Sequence, residues 1–186
     1  TAIMGLTGAG KSTLTRLVLG LVRPSTGTVS LYSEGFSVEA GPSTRCNFRY
    51  VPQGNTLMRG SVRENLLMAN PSATEEEMMD ALHVSVADFI NELPSGLDTV
   101  CSEKGSGLSE GQAQRVAIAR ALLHSGGVLI LDEATSALDN TTEILIQQAL
   151  DELMARKAAE AAAAMEVEAD SLQLSATPEE VLTDET

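Results

Sequence analysis

The sequence lacks the marks of several protein classes. No stretch comes near the roughly 18 consecutive apolar residues of a membrane span. The start, TAIMGLTGAG, has neither the basic region nor the apolar run of a secretory signal peptide, so we expect any membrane contact to come through a partner chain. Cys46 and Cys101 belong to no CxxC motif or Cys/His cluster of a zinc site, and we interpret them as reduced cytosolic thiols.

Basic residues are also scarce. The chain has 12 Lys and Arg against 26 Asp and Glu, a net charge of -14. Eight of the acids lie in 158–186, where no Lys or Arg occurs, so the acidity is largely a property of that segment. The basic patch of a nucleic-acid-binding protein is missing, which predicts no nucleic acid partner. The Ala- and Glu-rich segment favours a frayed helix followed by disorder, with an acidic interaction tail as the alternative.

The 186 residues are 43% hydrophobic, enough for one sizeable core in a soluble globular protein. The first half predicts a strand over Thr1–Met4, a helix over Lys11–Leu21 and a short strand over Gly27–Tyr32. A polar loop is expected over Ser33–Thr44, and a further strand over Cys46–Val51 is stopped by Pro52.

Small hydroxyl residues placed three positions before an acid mark the starts of short helices. Such a hydroxyl can accept from the third backbone N–H while the acid reaches back to the first. The pairs are Ser61 with Glu64, Thr74 with Glu77, and Ser85 with Asp88. They predict a helical insert from about Ser61 to Leu93, followed by a loop over Pro94–Gly107.

The second half predicts a helix over Ser109–Leu123 and a buried strand over Val128–Leu131. A further amphipathic helix is expected over Asn140–Lys157, capped by Asn140 with Glu143. His124 ends the helix before the buried strand, where a histidine suits the helix dipole, and we interpret it and His83 as structural residues.

A glycine-rich loop, GLTGAGKS at Gly5–Ser12, lies between the first strand and the first helix. Its glycines let the backbone turn N–H groups inward around a phosphate, and the following helix presents the positive end of its dipole. Lys11 would hold the terminal phosphates, and the Ser12 hydroxyl would bind Mg²⁺. The alternative is an accidental Gly-rich turn, against which the flanking strand and helix argue.

Two acids follow the apolar strand Val128–Leu131, at the carboxyl end where open α/β sheets bind their ligands. Asp132 would hold Mg²⁺, directly or through water, and Glu133 could accept a proton from an attacking water. Surface acids at a strand end are the alternative, which the phosphate loop makes less attractive.

The segment LSEGQ at Leu108–Gln112 has a local explanation, because Ser109 and Gln112 form a capping box. That explanation leaves Gly111 unaccounted for, since Gly in a helix costs about 1 kcal/mol relative to Ala. A glycine there allows close backbone approach, and the helix N-terminus can receive an anion. The segment therefore predicts a second phosphate site.

Taken together, these motifs resemble the nucleotide-binding domain of an ABC transporter over about Thr1–Lys157. GLTGAGKS resembles Walker A, Gln53 in YVPQG the Q-loop, LSEGQ the signature motif, LILDE Walker B, and SALD at Ser136–Asp139 the D-loop. The region around Thr99–Gly105 resembles the X-loop of exporters, which contacts the coupling helices of the membrane part. The resemblance implies an exporter-like nucleotide-binding domain that is truncated at both ends.

The resemblance implies an α/β P-loop NTPase fold with a RecA-like parallel core sheet. The ATPase domain would cover 1–157, with its core in 1–53 and 113–157. A helical subdomain, about 54–112, would be inserted between the Q-loop and the signature motif, and 158–186 would form the acidic tail.

The resemblance also implies an ATPase that uses ATP and Mg²⁺. Glu133 and Gln53 would be the catalytic residues, and Ser12, Gln53 and Asp132 would be the metal site. The nucleotide-binding residues would be Gly5, Thr7, Gly8, Ala9, Gly10, Lys11, Ser12, Thr13, Ser109, Gly111, Gln112 and Asp139.

Two partners follow from the same resemblance. Two nucleotide-binding domains would pair head to tail, so that Ser109 and Gly111 of one copy close over the γ-phosphate held by Lys11 of the other, with Asp139 at the contact. A transmembrane domain would be the second partner and would hold the chain at the cytoplasmic side of a membrane. The implied function is ATP hydrolysis that powers transport.

Three family parts have no counterpart in this sequence: the aromatic that stacks on adenine, the switch histidine, and the strand that carries this histidine between the Walker strands. The expected core is therefore incomplete, although the weak alternation in Glu166–Ser175 could supply a strand. The alternative function is a catalytically inactive nucleotide-binding fragment. An SMC-type ATPase is disfavoured, since only about a hundred residues separate Walker A from the signature, too few for a coiled coil.

Overall fold

A computed structural model describes residues 2–6, 8–33, 35–54, 56–101 and 107–174 of the chain. The α-helices are α1 (Lys11–Val18), α2 (Val62–Leu67), α3 (Glu75–Val84), α4 (Glu110–Leu123) and α5 (Asn140–Leu174). The strands are β1 (Ser30–Ser33), β2 (Phe36–Glu39), β3 (Phe48–Val51), β4 (Gly60–Ser61), β5 (Val100–Cys101) and β6 (Val128–Leu131). Short 3₁₀ helices cover Pro42–Asn47, Asp88–Glu92 and Gly96–Asp98.

Strands β3 and β6 form a parallel pair that carries the site. Phe48 lies opposite Val128, Val51 lies opposite Leu131, and the Asp132 N–H extends the pairing by donating to the Val51 carbonyl at 3.0 Å. Gly126 lets β6 approach, because a Cβ there would lie 2.9 Å from the Asn47 backbone. Both strands were predicted, but β6 is not buried as expected: Val128 is 48% exposed and the other three residues are half-buried, because among the described residues β6 pairs with β3 alone. Strand β3 begins two residues late because a 3₁₀ helix includes Cys46 and Asn47.

The segment before the glycine-rich loop is not a strand. Ile3, Met4 and Leu6 are 60%, 92% and 86% exposed, and among the described residues no strand pairs with 2–6. The prediction of a buried strand over Thr1–Met4 is therefore wrong for residues 2–4, and Thr1 lies outside the described residues. An apolar segment becomes a strand only where a neighbour supplies hydrogen bonds, which a sequence pattern cannot show.

Helix α1 and the hairpin after it also differ from prediction. The helix ends at Val18, before the predicted Leu21, because Gly20 takes a φ of 60° and the Leu21 N–H turns back to the Arg16 carbonyl. Strands β1 and β2 pair antiparallel across a turn with Gly35 at φ 70°. The predicted loop over Ser33–Thr44 is thus wrong, since polar neighbours hid the alternation of the second strand.

The helical insert forms as predicted at two of its three caps. The Ser61 and Thr74 hydroxyls accept from the Glu64 and Glu77 N–H groups at 3.1 and 3.2 Å. The third cap is wrong: Ser85 is buried and its hydroxyl donates to the Leu82 carbonyl at 2.9 Å.

After the insert, the predicted loop over Pro94–Gly107 contains a 3₁₀ helix and strand β5, which pairs with β4. Residues 102–106 lie outside the described residues, and with them most of the predicted X-loop. Both cysteines are free; Cys101 is buried and Cys46 is exposed.

Helix α4 is the centre of the described core. Val116, Ala117, Ile118 and Ala119 are all buried, and the helix packs against α2, α3 and β3. Four successive buried residues leave α4 without a polar face over these turns, as expected of a helix enclosed by neighbours. Its first turn is thereby held in a fixed position.

Helix α5 begins one residue after its cap. The Asp139 carboxylate accepts from the Thr142 N–H at 2.9 Å and from its hydroxyl at 2.8 Å, so Asp139 is the cap and the prediction of Asn140 is wrong. The helix continues to Leu174, which contradicts a strand over 166–174; 175–186 lie outside the described residues. None of the described helices is long and apolar enough to cross a membrane. Contacts divide the chain into units of 1–146 and 147–186.

Candidate nucleotide site

The glycine-rich loop has the backbone of an anion cradle. Gly8 and Gly10 lie at φ 84° and 95°, where a side chain would strain the backbone. Helix α1 starts at Lys11 directly after them, and no side chain caps its first turn. The first backbone N–H groups of a helix have no intrahelical partner, so they remain available to a phosphate.

Lys11 lies across this loop. Its Nζ donates to the Gly5 and Leu6 carbonyls at 2.9 and 3.3 Å and lies 3.7 Å from Glu133 Oε1. The same ammonium therefore contacts the loop and the acid after β6. Ala9 closes the loop from within, its N–H donating to the Leu6 carbonyl at 3.1 Å. Thr7 lies outside the described residues, and Thr13 lies exposed in the first turn of α1.

Asp132 is held by side chains from two other elements. Ser12 Oγ donates to its Oδ1 at 3.2 Å, and the Tyr50 hydroxyl donates to its Oδ2 at 3.3 Å. Asp132 is buried, at 9% exposure. Burial first, and then Asp132, raise the pKa of Tyr50, while the charge of Arg16 acts in the opposite direction. The phenol consequently stays protonated and remains a donor at neutral pH.

Glu133 follows in a left-handed backbone conformation. Its φ of 51° is uncommon for a residue with a Cβ and costs about 1–3 kcal/mol. Gln53 Nε2 donates to its Oε2 at 2.8 Å, and Lys11 lies near the other oxygen. The structure thus brings together Lys11, Ser12, Gln53, Asp132 and Glu133 from distant parts of the sequence, although Gln53 contacts Glu133 rather than Ser12 or Asp132.

The donor set fits Mg²⁺. A hydroxyl, a carboxylate and an amide oxygen are the hard ligands that Mg²⁺ prefers, and it commonly takes only one or two carboxylates and completes its shell with phosphate and water. Among the described residues no group of three or more His, Cys, Asp or Glu could hold a metal. Ser12 Oγ and Asp132 Oδ1 lie 3.2 Å apart beside the loop, which puts two oxygen ligands next to the place where phosphate would bind.

The signature segment forms the predicted capping box. Ser109 Oγ accepts from the Gln112 N–H at 3.2 Å, and Gln112 Oε1 accepts from the Ser109 N–H at 2.8 Å. A Cβ on Gly111 would lie 3.0 Å from the Ala137 carbonyl oxygen and 3.3 Å from a Leu138 methyl. The close backbone approach is therefore to the SALD segment of the same chain.

The SALD segment ends at the cap of α5. Asp139 is exposed, and the Thr142 N–H, followed by the Thr142 hydroxyl, lowers the pKa of its carboxyl. Gln114, three residues after Gly111 on α4, also holds the segment: it is 1% exposed and its Oε1 accepts from the Ala137 N–H at 3.3 Å.

Three residues at or beside the site were missed by sequence reasoning. Tyr50 lies on β3, three positions before Gln53, and Gln114 is a buried polar residue of α4. Arg115 Nη1 donates to the Val86 carbonyl at 2.7 Å and the guanidinium lies 4.7 Å from the Phe89 ring centre. Gln114 carries no clear signal in the sequence, since Gln112, Arg115 and Arg120 are also polar residues of α4; for Tyr50 only the pairing register reveals its proximity to Asp132.

A groove of about 300 Å³ opens beside the site. It is lined by Tyr50, Thr56, Met58, Met68, Arg120 and His124, together with two alanines. The two methionines are 58% and 56% exposed, which gives the groove an apolar rim. His124 caps α4 and its Nδ1 accepts from the Gly126 N–H at 3.0 Å, in keeping with a structural role.

Comparisons with known proteins identify the family of the chain. The family model described as ABC transporter matches residues 1–136. A "Putative multidrug export ATP-binding/permease protein" of Staphylococcus aureus (strain NCTC 8325) is 42% identical over 153 residues, which cover 82% of this chain and 26% of that protein. The ABC transporter ATP-binding protein YfiC of Bacillus subtilis (strain 168) is 41% identical over 154 residues, with the same coverage.

A solved structure, of a bacterial Atm1-family ABC exporter with ATP bound, matches 80% of this chain and 26% of its own at 35% identity and a TM-score of 0.72. This match confirms the predicted α/β P-loop NTPase fold. The chain spans about a quarter of the length of these relatives. The family model matches most of the chain, and the glycine-rich loop and the helix after it contact the acids that follow β6. The chain therefore belongs to the ABC transporter family and is a nucleotide-binding domain of that family.

Proposed function

We propose that the chain binds ATP with Mg²⁺ and hydrolyses it, powering transport across a membrane as part of an exporter-like ABC transporter. The observation that carries the proposal is the convergence of Lys11, Ser12, Gln53, Asp132 and Glu133 beside one glycine-rich loop. Phosphoryl transfer depends on positioned charges and dipoles more than on covalent chemistry, and this cluster supplies both.

The loop and the start of α1 hold the phosphates in this proposal. Gly5, Thr7, Gly8, Ala9, Gly10 and Thr13 contribute backbone or hydroxyl donors there. Lys11 exchanges its contacts with the Gly5 and Leu6 carbonyls for phosphate oxygens, which are stronger, charged acceptors. Ser12, Asp132 and Gln53 are the residues for Mg²⁺, which when bound neutralises phosphate charge.

Glu133 is the proposed proton acceptor. It is exposed, so water can reach it, while Gln53 and Lys11 hold its two oxygens in a defined orientation. Proton acceptance requires a carboxylate within hydrogen-bond reach of the attacking water. The amide of Gln53 can hold the carboxylate and orient that water together.

The proposed partners are a second copy and a transmembrane domain. Ser109 and Asp139 are exposed, and Gly111 and Gln112 are half-buried, so this surface is accessible to another chain. Head-to-tail pairing would place it over the nucleotide of the other copy. The groove with the exposed Met58 and Met68 at its rim is the surface proposed for a helix of the membrane part on the cytoplasmic side. The relatives whose names include a permease contain much more chain than this one.

Binding and phosphate release from the purified chain test the proposal, with Lys11→Ala as the variant. We expect a fluorescent ATP analogue to bind and phosphate to be released, and both to be lost in Lys11→Ala. Arg23→Ala, an exposed cation after α1, is the control and should behave as the original chain. Binding without release would support the inactive-fragment alternative, and equal binding by Lys11→Ala would overturn the nucleotide site.

A further inference from the structure

Tyr50 is the feature of the site that the proposed function leaves unused. Its hydroxyl donates to Asp132 Oδ2 at 3.3 Å, while Ser12 occupies Oδ1 of the same carboxylate at 3.2 Å. Both oxygens of a buried acid are thus held by different elements, one by the loop helix α1 and one by strand β3. The acid would otherwise be free to rotate about its terminal bond, since such torsions are broad.

The strand register fixes this contact. Tyr50 lies opposite Ile130 in the parallel pair, and the Asp132 N–H donates to the Val51 carbonyl at 3.0 Å. Side chains two residues apart share one face of a sheet, so Tyr50, Ile130 and Asp132 lie on the same face. The tyrosine therefore reaches the acid diagonally across β3 and β6, with both backbones held by hydrogen bonds.

We propose that Tyr50 is a positioning residue for the magnesium site. Its O–H fixes the plane of the Asp132 carboxylate, so that Oδ1 stays turned toward Ser12 and the phosphate loop. Hydrogen-bond partners behind a metal-binding carboxylate orient it and raise metal affinity. This inference rests on the proposed function, because it assigns Tyr50 a role only if Ser12 and Asp132 hold Mg²⁺.

The ring of Tyr50 gives the contact a second consequence. It lines the groove of about 300 Å³ beside the methionine rim. A single side chain therefore connects the groove wall to the Asp132 carboxylate. The sequence motif of the metal site, the two acids after β6, does not predict this connection.

The experiment compares Tyr50→Phe with Tyr32→Phe, which changes the other tyrosine of the chain, 80% exposed on β1. Affinity for a fluorescent ATP analogue is measured in EDTA and again with rising Mg²⁺. We expect Tyr50→Phe to keep its affinity in EDTA and to need roughly tenfold more Mg²⁺ to reach half of the metal-dependent gain. Tyr32→Phe should follow the original chain under both conditions.

The outcomes separate the inference from the function beneath it. If the original chain gains affinity with Mg²⁺ and Tyr50→Phe gains it at the same concentrations, the positioning role is overturned. A loss of affinity in EDTA as well would show that Tyr50 supports the fold, and would overturn it too. If the original chain binds no better than Lys11→Ala, the proposed function fails and the inference fails with it.

Discussion

The phosphate-loop region and the signature segment are built in opposite ways. The first joins residues more than a hundred positions apart, through Ser12 to Asp132 and Lys11 to Glu133. The second is joined by bonds three positions apart, between Ser109 and Gln112. A site made of distant contacts depends on the whole fold, whereas a local cap presents a helix N-terminus wherever that helix is placed. This difference suits the proposed head-to-tail pairing, in which a second copy would complete the site.

The largest effect should come from Glu133→Gln. This substitution removes the carboxylate that would accept the proton and keeps a side chain of nearly the same shape beside Gln53. We expect phosphate release to fall about 10²- to 10⁴-fold, the usual contribution of a general base, while nucleotide binding is retained. Glu76→Gln, an exposed acid in the first turn of α3, is the matched control. Unchanged phosphate release from Glu133→Gln would show that Glu133 is not the base of the phosphate-loop region.

Ser109→Ala, compared with Ser61→Ala, distinguishes a cap from a phosphate ligand. Both serines accept from the third N–H at nearly equal distances, 3.2 and 3.1 Å. Each substitution should lower the free energy of unfolding by about 1 kcal/mol in a denaturant titration. Only Ser109→Ala should also reduce phosphate release. Equal release from both variants would leave Ser109 as a cap alone.

The sequence predicted local features well and long-range ones poorly. Capping boxes at Ser61, Thr74 and Ser109 formed from a hydroxyl and an acid or amide three residues later. The same spacing at Ser85 and Asp88 gave no cap, because Ser85 is buried and its hydroxyl donates to the Leu82 carbonyl. The predicted strand over Thr1–Met4 did not form over its described residues, since pairing depends on a neighbour. Tyr50 was missed for a related reason: its contact with Asp132 exists only in the β3 and β6 register.

The same contrast explains the site. The glycine-rich loop and the two acids after β6 could be singled out as candidate site residues because their order, the helix after the loop and the strand before the acids are readable along the chain. The contact of Gln53 with Glu133 and of Gly111 with Ala137 could not be predicted, since each joins segments whose relative position the pattern does not encode. The sequence predicted Asn140 as the cap of α5, whereas the Thr142 hydrogen bonds place Asp139 in that position; both residue types are good caps, so the identity of the residue does not decide.

Gly111→Ala should have a smaller effect on stability. Alanine favours the helix by about 1 kcal/mol, but its Cβ would press on the Ala137 carbonyl, so the two terms largely offset each other. We expect the free energy of unfolding to change by less than about 1 kcal/mol while the SALD segment shifts. Faster amide exchange at Ala137 would report that shift.

Gly127→Ala is the matched control for that substitution, because a Cβ there meets nothing within 4 Å. If Gly111→Ala left amide exchange at Ala137 as slow as in the control, the signature segment would not be packed on SALD in solution. The signature segment would then make only local contacts at this position, without support from the SALD segment.

The smallest effect concerns His83 and Asp88, an exposed pair that lies in neither the phosphate-loop region nor the signature segment. This pair shows how much stability a local hydrogen bond contributes where no functional role is proposed. His83 Nδ1 lies 2.8 Å from Asp88 Oδ1, and this hydrogen bond, with the charges of Asp88 and Asp80, raises the pKa of His83. A raised pKa means that the folded state binds the proton more tightly. The stabilisation is therefore fully present below about pH 6.5, the ordinary value for histidine, and is lost as the pH rises through the folded value. Because the side chains are 78% and 55% exposed, screening limits this stabilisation to about 0.5 kcal/mol.

Denaturant titrations of His83→Gln and the original chain should give different free energies of unfolding at pH 6 and the same value at pH 8, with phosphate release unaffected. A difference that widened toward pH 8 would contradict the pairing.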